Sequence, residues 1–322
     1  MCDLPQVTII VPNFNGATLL ENNLPTVLEA LAVYPGGGQI IVVDDGSADN
    51  SVDIIRRRFP QVRLEQHETN MGFAEAIHTG VRAADSEALI FLNSDVRPEC
   101  DFIAPLILRL TDEGVFSVQS AIREESGNIH PYCLTRFRYR YGTLKRLKTT
   151  NLGKKPWWCL YASGGSMAVD KAKFNELGGF LPVFKPFYWE DFDLGVRAWR
   201  RGWRTLLEPA SIVLHQERGS IQDNVKRQRV RRALQRNKLL AEWIHFPIGT
   251  LAAFMLPRLV LRMLTRTLVG DFGYWCALFG ALARMPDVWA IRRSIDATST
   301  QSFRQVLRVI EQENACHGEM SS

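Results

Sequence analysis

The first hundred residues predict an α/β fold: a mostly parallel sheet with helices on both faces. Two observations carry this. Short apolar runs alternate with stretches of helical spacing, and the runs are apolar at nearly every position instead of every second one. A strand that is apolar on both sides is buried on both sides, as in a parallel sheet between helical layers. The strand-sized runs are Val7 to Val11, Gln39 to Val43 and Ala88 to Leu92, with a weaker strand third in order over Val62 to Gln66. Between the first two, Leu19, Leu20, Leu24, Val27, Leu28 and Leu31 recur at helical spacing, and Tyr34-Pro35-Gly36-Gly37-Gly38 ends the pattern. Helices are likewise expected over Val52 to Phe59, stopped by Pro60, and over Phe73 to Ala84.

The chain has 322 residues, enough for one large α/β domain with an appendage or for two modest domains. With 46% hydrophobic and 23% charged residues it is an ordinary folded protein with a sizeable core. The formal net charge of +5 is mild and by itself selects no partner. Six cysteines, at 2, 100, 133, 159, 276 and 316, form no Cys-x-x-Cys pair, which argues against a disulfide framework or zinc site and for reduced thiols in the cytosol. Met1 to Gln6 is too short and polar for a signal peptide, and no window holds eighteen uncharged apolar residues. A cytoplasmic protein without a spanning helix is therefore expected.

Farther on, residues 123–156 are basic and aromatic (Tyr132, Arg136, Phe137, Arg138, Tyr139, Arg140, Tyr141) and read as a long loop region. Ordered patterning returns over 164–215 and changes character after Gln216. A domain boundary is placed near 235, giving an α/β domain over 1–235 and a helical, amphipathic region over 236–322.

In an open parallel sheet, ligands bind outside the carboxyl ends of the strands. The first run is followed by Pro12-Asn13-Phe14-Asn15, the second by Asp44-Asp45-Gly46-Ser47 and the fourth by Asn93-Ser94-Asp95. Asp44 and Asp45 could close a turn through Asx bonds before a helix capped by Ser47, Asp49 or Asn50. A pair of carboxylates at a strand tip could also accept hydrogen bonds from a base or ribose. There is no G-x-G-x-x-G after the first strand, which disfavours a dinucleotide-binding dehydrogenase. Asp95 lies where a metal-bound diphosphate would sit; one carboxylate plus phosphate oxygens suits Mg²⁺ or Mn²⁺.

A further cluster, Glu190-Asp191-Phe192-Asp193, opens a helical pattern in which Arg197 can pair with Asp193. The acids could simply complement the helix dipole. Trp189 and Phe192 also give them an apolar setting that raises a carboxylate's proton affinity, as a general base requires. His215 ends a short strand, Ser211 to Leu214, and is a candidate second metal ligand beside Asp95.

Five segments in order resemble the family 2 inverting glycosyltransferases: Val11 to Asn15, Val42 to Ser47, Asn70-Met71-Gly72-Phe73, Phe91 to Asp95, and Glu190 to Leu194. The resemblance covers roughly residues 7–220 and implies a GT-A fold with a nucleotide-sugar donor. It puts base and ribose near Pro12, Asn13, Phe14, Asn15, Asp44, Asp45, Asn70, Gly72 and Phe73, with Asn93 and Ser94 beside the diphosphate. It makes Asp95 the metal ligand, Asp191 the catalytic base with Glu190 beside it, and Gly164-Gly165 a loop lining the sugar pocket. Asn93 replaces the first acid of the family's D-x-D. That form is familiar in the branch similar to bacterial rhamnosyltransferases, which implies a dTDP- or UDP-sugar donor and a glycan or lipid-linked acceptor, in surface-polysaccharide assembly. A non-catalytic nucleotide-sugar-binding scaffold is the alternative that Asn93 raises. A sugar-phosphate nucleotidyltransferase would need a Gly-rich basic loop after the first strand, where Pro12-Asn13-Phe14-Asn15 stands instead.

From Arg218 to Lys238 the chain carries seven named cations, Lys226, Arg227, Arg229, Arg231, Arg232, Arg236 and Lys238, against Asp223. Apolar stretches follow at 248–256, 259–269 and 274–283, with Arg258, Arg262 and Arg266 forming one helical stripe. This is the make-up of an interfacial helix whose arginines snorkel to anionic lipid. Peripheral membrane contact on the cytoplasmic face is expected. The helices could equally serve a second copy of the chain, and no nucleic-acid-binding motif accompanies the basic run.

Overall fold

The computed structural model describes residues 4–131, 133–148, 151–216 and 227–315. Tyr132, and Arg218, Asp223 and Lys226 of the basic run, lie outside the described residues.

The expected alternation is present as β1 (Val7–Asn13), α1 (Ala17–Val33), β2 (Gly38–Asp44), α2 (Ser51–Arg58), β3 (Arg63–Gln66), α3 (Phe73–Ala83) and β4 (Ala88–Leu92). β5 (Val96–Pro98), α4 (Ile103–Leu110) and β6 (Val115–Glu124) follow, then β7 (Phe137–Arg140), β8 (Thr143–Arg146) and β9 (Trp157–Trp158). β10 (Ser166–Asp170), α5 (Lys171–Glu176), α6 (Glu190–Arg200) and β11 (Arg204–His215) complete the sheet layer.

The main sheet runs β3-β2-β1-β4-β10-β6-β11-β5, with β9 paired to β11. β1 pairs parallel with β2 and β4, and β2 with β3, so the carboxyl ends of these strands share one edge. β10 is antiparallel to both β4 and β6, and β5 is antiparallel to β11. The pleat divides the apolar runs as their continuity requires. Ile9, Val11, Ile40, Val42 and Ile90 pack with α1, α2 and α4 on one face. Ile10, Ile41, Val43, Leu89 and Phe91 pack with α3, α5 and α6 on the other.

The expected long loop over 123–156 contains a hairpin, β7–β8, separate from the main sheet. Its basic-aromatic alternation is strand patterning: Phe137 and Tyr139 turn inward while Arg138 and Arg140 are exposed. Tyr141 and Gly142 close it with φ of 49° and 65°, the positive-φ pair that a two-residue hairpin turn requires.

Five helices follow: α7 (Arg227–His245), α8 (Ile248–Leu268), α9 (Phe272–Leu282), α10 (Met285–Thr298) and α11 (Phe303–Ala315). The boundary expected near 235 falls inside α7, which runs through it without a break. Leu239, Leu240 and Ile244 of α7 share one buried cluster with Phe192, Val196 and Trp199 of α6, so the helical region and α6 have a common core.

α8 differs from expectation twice. It is a 21-residue helix of mean hydropathy 1.4, long and apolar enough to cross a membrane by length and composition. The sequence criterion demanded an uncharged run, and Arg258 and Arg262 interrupt it. The outer two of the three stripe arginines are also tied to the protein, while Arg262 is exposed. Arg258 donates to the carbonyl of Tyr141 (2.9 Å), and Arg266 pairs with Asp271 (2.9 Å). Leu261, Leu264 and Leu268 are instead turned out, with 60%, 60% and 85% of their surfaces exposed.

The last helix is tied to the sheet by one side chain. Asn314 donates to the carbonyl of Trp158 (2.8 Å) and accepts from its N–H (3.0 Å). Asn314→Ala leaves both backbone groups unpartnered and should cost about 1–3 kcal/mol, read as a lower thermal-unfolding midpoint.

Candidate active site

The strand tips of β1 and β2 are cross-braced. Asn13 donates through Nδ2 to Asp44 Oδ2 (3.0 Å) and Ser47 Oγ (3.3 Å). Asp44 Oδ1 accepts the Ser47 N–H (3.0 Å). Asn15 sits at φ 49°, where its N–H reaches Ser47 Oγ (2.8 Å) and its Oδ1 takes the Ala48 N–H (2.8 Å). Asp44 is fully buried and both its oxygens are used inside the protein. The free acceptor at this corner is Asn13 Oδ1, buried and without a protein partner. Pro12 and Phe14 are half-buried beside it.

Asp45 holds the next loop. Its Oδ1 accepts the Met71 N–H (2.8 Å), its Oδ2 the Gly72 N–H (2.7 Å), and His67 Nδ1 lies 2.7 Å from Oδ1. The Asp44–Asp45 pair therefore braces the corner at the tips of β1 and β2, and the turn of Asn70, Met71 and Gly72 is pinned over it. Phe73 carries that turn to the sugar end, since its ring closes on Gly164, where a Cβ would meet it at 3.3 Å.

At the tip of β4, the Asn93 N–H donates to the carbonyl of Gly165 (2.9 Å), joining this strand to the 164–165 loop. A Cβ at Gly165 would press on the Asn93 amide at 3.2 Å. The Ser94 carbonyl accepts from Asn23 (2.8 Å). Asn93 Oδ1 and Asp95 Oδ1 are both buried without a protein partner. β5 pairs with the end of β11, which sets His215 opposite Val96 and its Nε2 4.0 Å from Asp95 Oδ2. Burial raises the Asp95 carboxyl above the usual range, while His215 opposes that. The His130 ring lies 4.9 Å from that of His215, and burial, then His215, lowers its proton affinity. Sequence reading missed His130, because nothing local marks a histidine in the turn after β6.

The acidic cluster splits in two. Asp193 is wholly buried, bound to Arg197 (2.7 Å) and His245 Nε2 (2.8 Å), and does not face the site. Asp191 turns toward the 164–165 loop: its Oδ1 accepts the Phe192 N–H (2.7 Å). Burial raises Asp191, opposed by the N–H groups of Phe192 and Gly164 and by Arg146. Glu190 is pushed up to about 8 by burial, then by Asp191, and its Oε2 has no protein partner. Arg146, at the end of β8, is a site residue that the loop reading of 123–156 hid.

The residues before this cluster are strained. Tyr188 and Trp189 have φ of 72° and 76°, each costing on the order of 1–3 kcal/mol for a non-glycine residue. α7 holds them: Asn237, fully buried, donates to the carbonyls of Phe184 (2.5 Å), Phe187 (2.9 Å) and Tyr188 (3.0 Å). Asn237 too was absent from the sequence reading, since its partners are main-chain atoms fifty residues away.

A mostly parallel sheet whose strand tips gather these groups, backed by a second helical layer, has the GT-A fold of glycosyltransferases. The family model for glycosyl transferase family 2 matches residues 8–178, and the chain belongs to that family. Polypeptide N-acetylgalactosaminyltransferase 16 of Mus musculus is 26% identical over 229 residues, covering 66% of this chain and 40% of that protein. N-acetylglucosaminyl-diphospho-decaprenol L-rhamnosyltransferase of Mycobacterium tuberculosis is 24% identical over 204 residues, 55% of this chain and 66% of that one. The chain thus spans less than two-thirds of the length of these relatives. Among solved structures, GalNAc-T7 with UDP, GalNAc and Mn²⁺ superposes with a TM-score of 0.60 at 18% identity, over 77% of this chain and 49% of that chain. The mannosyltransferase PcManGT of Pyrobaculum calidifontis, with GDP-Man and Mn²⁺, gives 0.55 at 18% identity over 98% and 88%.

Asn237→Ala should release the 184–189 loop. Transfer is expected to fall at least about tenfold, as misplacement of a catalytic group by an ångström does, while nucleotide binding, read by thermal shift, stays within about twofold.

Proposed function

We propose that this protein is an inverting glycosyltransferase that moves a sugar from a dTDP- or UDP-sugar to a hydroxyl of a glycan or lipid-linked acceptor. The observation that carries this is the half-buried Asp191 carboxylate, bonded to the Gly164 N–H of the loop beside the β4 tip and raised in proton affinity. A base so poised accepts the acceptor's hydroxyl proton as the oxygen attacks the anomeric carbon from the face opposite the diphosphate, which inverts that centre. Such proton transfer contributes about 10²–10⁴ in rate. Glu190, uncharged near neutral pH, leaves Asp191 the ionised member of the pair.

A divalent metal fits the β4 tip. Asp95 Oδ1 and Asn93 Oδ1 are buried acceptors without protein partners, and His215 stands beside them. Among the described residues no three His, Cys, Asp or Glu side chains form a complete cage. An ion with few protein ligands, completed by phosphates and water, is characteristic of Mg²⁺ or Mn²⁺. When bound, the ion supplies charge stabilisation to the departing diphosphate. Asp95 and His215 would hold it, with Asn93 as a neutral acceptor in place of a carboxylate. Asn13, Asn15 and the Asn70–Phe73 turn would flank base and ribose.

The reading extends to a rhamnosyl donor and a polyprenyl-linked acceptor, supported by the name of the mycobacterial relative. It places the chain on the cytoplasmic face of a membrane, supported by the outward leucines of α8. Leu261→Glu with Leu264→Glu should abolish flotation with anionic vesicles and spare nucleotide binding; flotation unchanged would remove membrane contact from the proposal.

Thermal unfolding with UDP, dTDP, GDP, CMP or NAD, each with and without Mn²⁺, tests the donor. At a hundredfold excess over the dissociation constant a ligand adds about 2.7 kcal/mol. A metal-dependent shift with UDP or dTDP alone is expected, and no shift with any nucleotide would leave a scaffold. Asp191→Asn should keep that shift and lose about 10²–10⁴ of transfer.

The rate should also rise with pH, because the base works ionised and its raised affinity sets the acid limb above the usual carboxylate range. Glu190→Gln replaces an acid that is already uncharged over that range and should leave the acid limb of the rate profile in place.

A further inference from the structure

A sizeable cavity lies away from the sheet edge. It lies among α7, α8, α9 and α10, with a volume of about 640 Å³. Its walls are apolar, formed by Leu251, Met255, Leu259, Met285 and Trp289 among others. The charged lining is lopsided: Lys238, Arg258, Arg262 and Arg292 stand against the single carboxylate Glu242. Two of these cations are committed to the fold, since Arg258 donates to Tyr141 and Arg292 to the carbonyl of Trp243 (2.7 Å). Arg262 is exposed, and Lys238, 3.4 Å from Glu242, is 40% exposed. An apolar hollow with cations beside it complements an amphiphile with an anionic head.

The hairpin connects this cavity to the acidic cluster. Gly142 and Thr143, at its tip, line the cavity. β8 runs from Thr143 to Arg146, whose charge acts on Asp191. Three residues of extended strand span about 10 Å. A phosphate held at the cavity would therefore place the next group along the same molecule close to Asp191.

We infer that the cavity among α7, α8, α9 and α10 is an acceptor-binding site that takes an apolar chain ending in phosphate or diphosphate, with Arg262 and Lys238 contacting the phosphate. This rests on the transferase reading and names the acceptor class for it. α8 is the outer wall of the cavity, and its exposed leucines would sit in the same lipid layer as the chain being admitted. Arg262, at the cavity rim, would then meet the head of the acceptor, while Arg258 stays bound to Tyr141.

The test uses the full chain and farnesyl diphosphate as probe, with binding read from the fluorescence of Trp243 and Trp289, which line the cavity. Saturable binding is expected. Loss of one charge-assisted contact in Arg262→Ala should weaken it about tenfold or more. Ala252→Trp, which fills the cavity from an exposed position on α8, should weaken it comparably, and farnesol should bind correspondingly worse than farnesyl diphosphate. Unchanged binding in both variants, or equal competition by inorganic diphosphate, would overturn the inference. Nucleotide thermal shifts on the same samples separate the two readings. Normal shifts with no cavity binding sink only the acceptor site, whereas cavity binding without any nucleotide shift sinks the transferase.

Discussion

The buried carboxylate of Asp193 is the constraint on which the catalytic end depends. Burial alone would raise its proton affinity, but Arg197 and His245 outweigh that and hold it ionised. Arg197 extends the link by donating to the carbonyls of Leu177 (2.6 Å) and Gly179 (2.7 Å), so the loop after α5 is fixed as well. His245 is kept neutral by burial, and with no partner at Nδ1 its proton sits on Nε2, facing Asp193. One carboxylate thus joins α6, the 177–179 loop and α7. Removing one partner of such a buried set costs about 3–5 kcal/mol, because the remaining charge is stranded. The fold therefore fixes the helix that begins with Glu190 and Asp191 before any substrate arrives.

The corner at the tips of β1 and β2 follows the same logic. Asp44 and Asp45 spend their oxygens on Asn13, Ser47, Met71, Gly72 and His67, so they shape the corner from behind. Among the described residues, the buried atoms without a protein partner include Asn13 Oδ1, Asn93 Oδ1, Asp95 Oδ1 and Glu190 Oε2. A buried polar atom without a partner is costly, and native structures keep few of them. Here three follow the strand tips of β1 and β4, where donor groups of a ligand or a cation would complete them.

Much of this was legible in the sequence because it is local. The strands β1, β2 and β4 announce themselves by continuous apolar runs, and the site residues follow those runs directly, so the sheet edge could be read from adjacency alone. The Asp193–Arg197 pair was legible for the same reason, being one helical turn apart. Three things were not. The hairpin β7–β8 was hidden because its arginines obscured the alternation of Phe137 and Tyr139. His130 and Asn237 reach the site only through contacts across the chain, which no spacing encodes. The direction of the α8 arginines depends on Tyr141, Asp271 and Glu242, none of them on that helix, so the stripe could be found while its facing could not.

That last point links the two halves of the molecule. A helix that points arginines at its own protein and leucines outward reverses the usual amphipathic arrangement of a soluble helix. The reversal is tolerable only if something apolar covers the outer face and something anionic balances the inner one. Glu242 and Asp271 supply part of that balance, leaving a cationic excess at the cavity. Through Asn237 the neighbouring helix α7 holds the strained turn at Tyr188 and Trp189, next to Asp191. What settles on α7 and α8 therefore bears on the geometry of Glu190 and Asp191, because α7 packs on α6 and holds the turn before it.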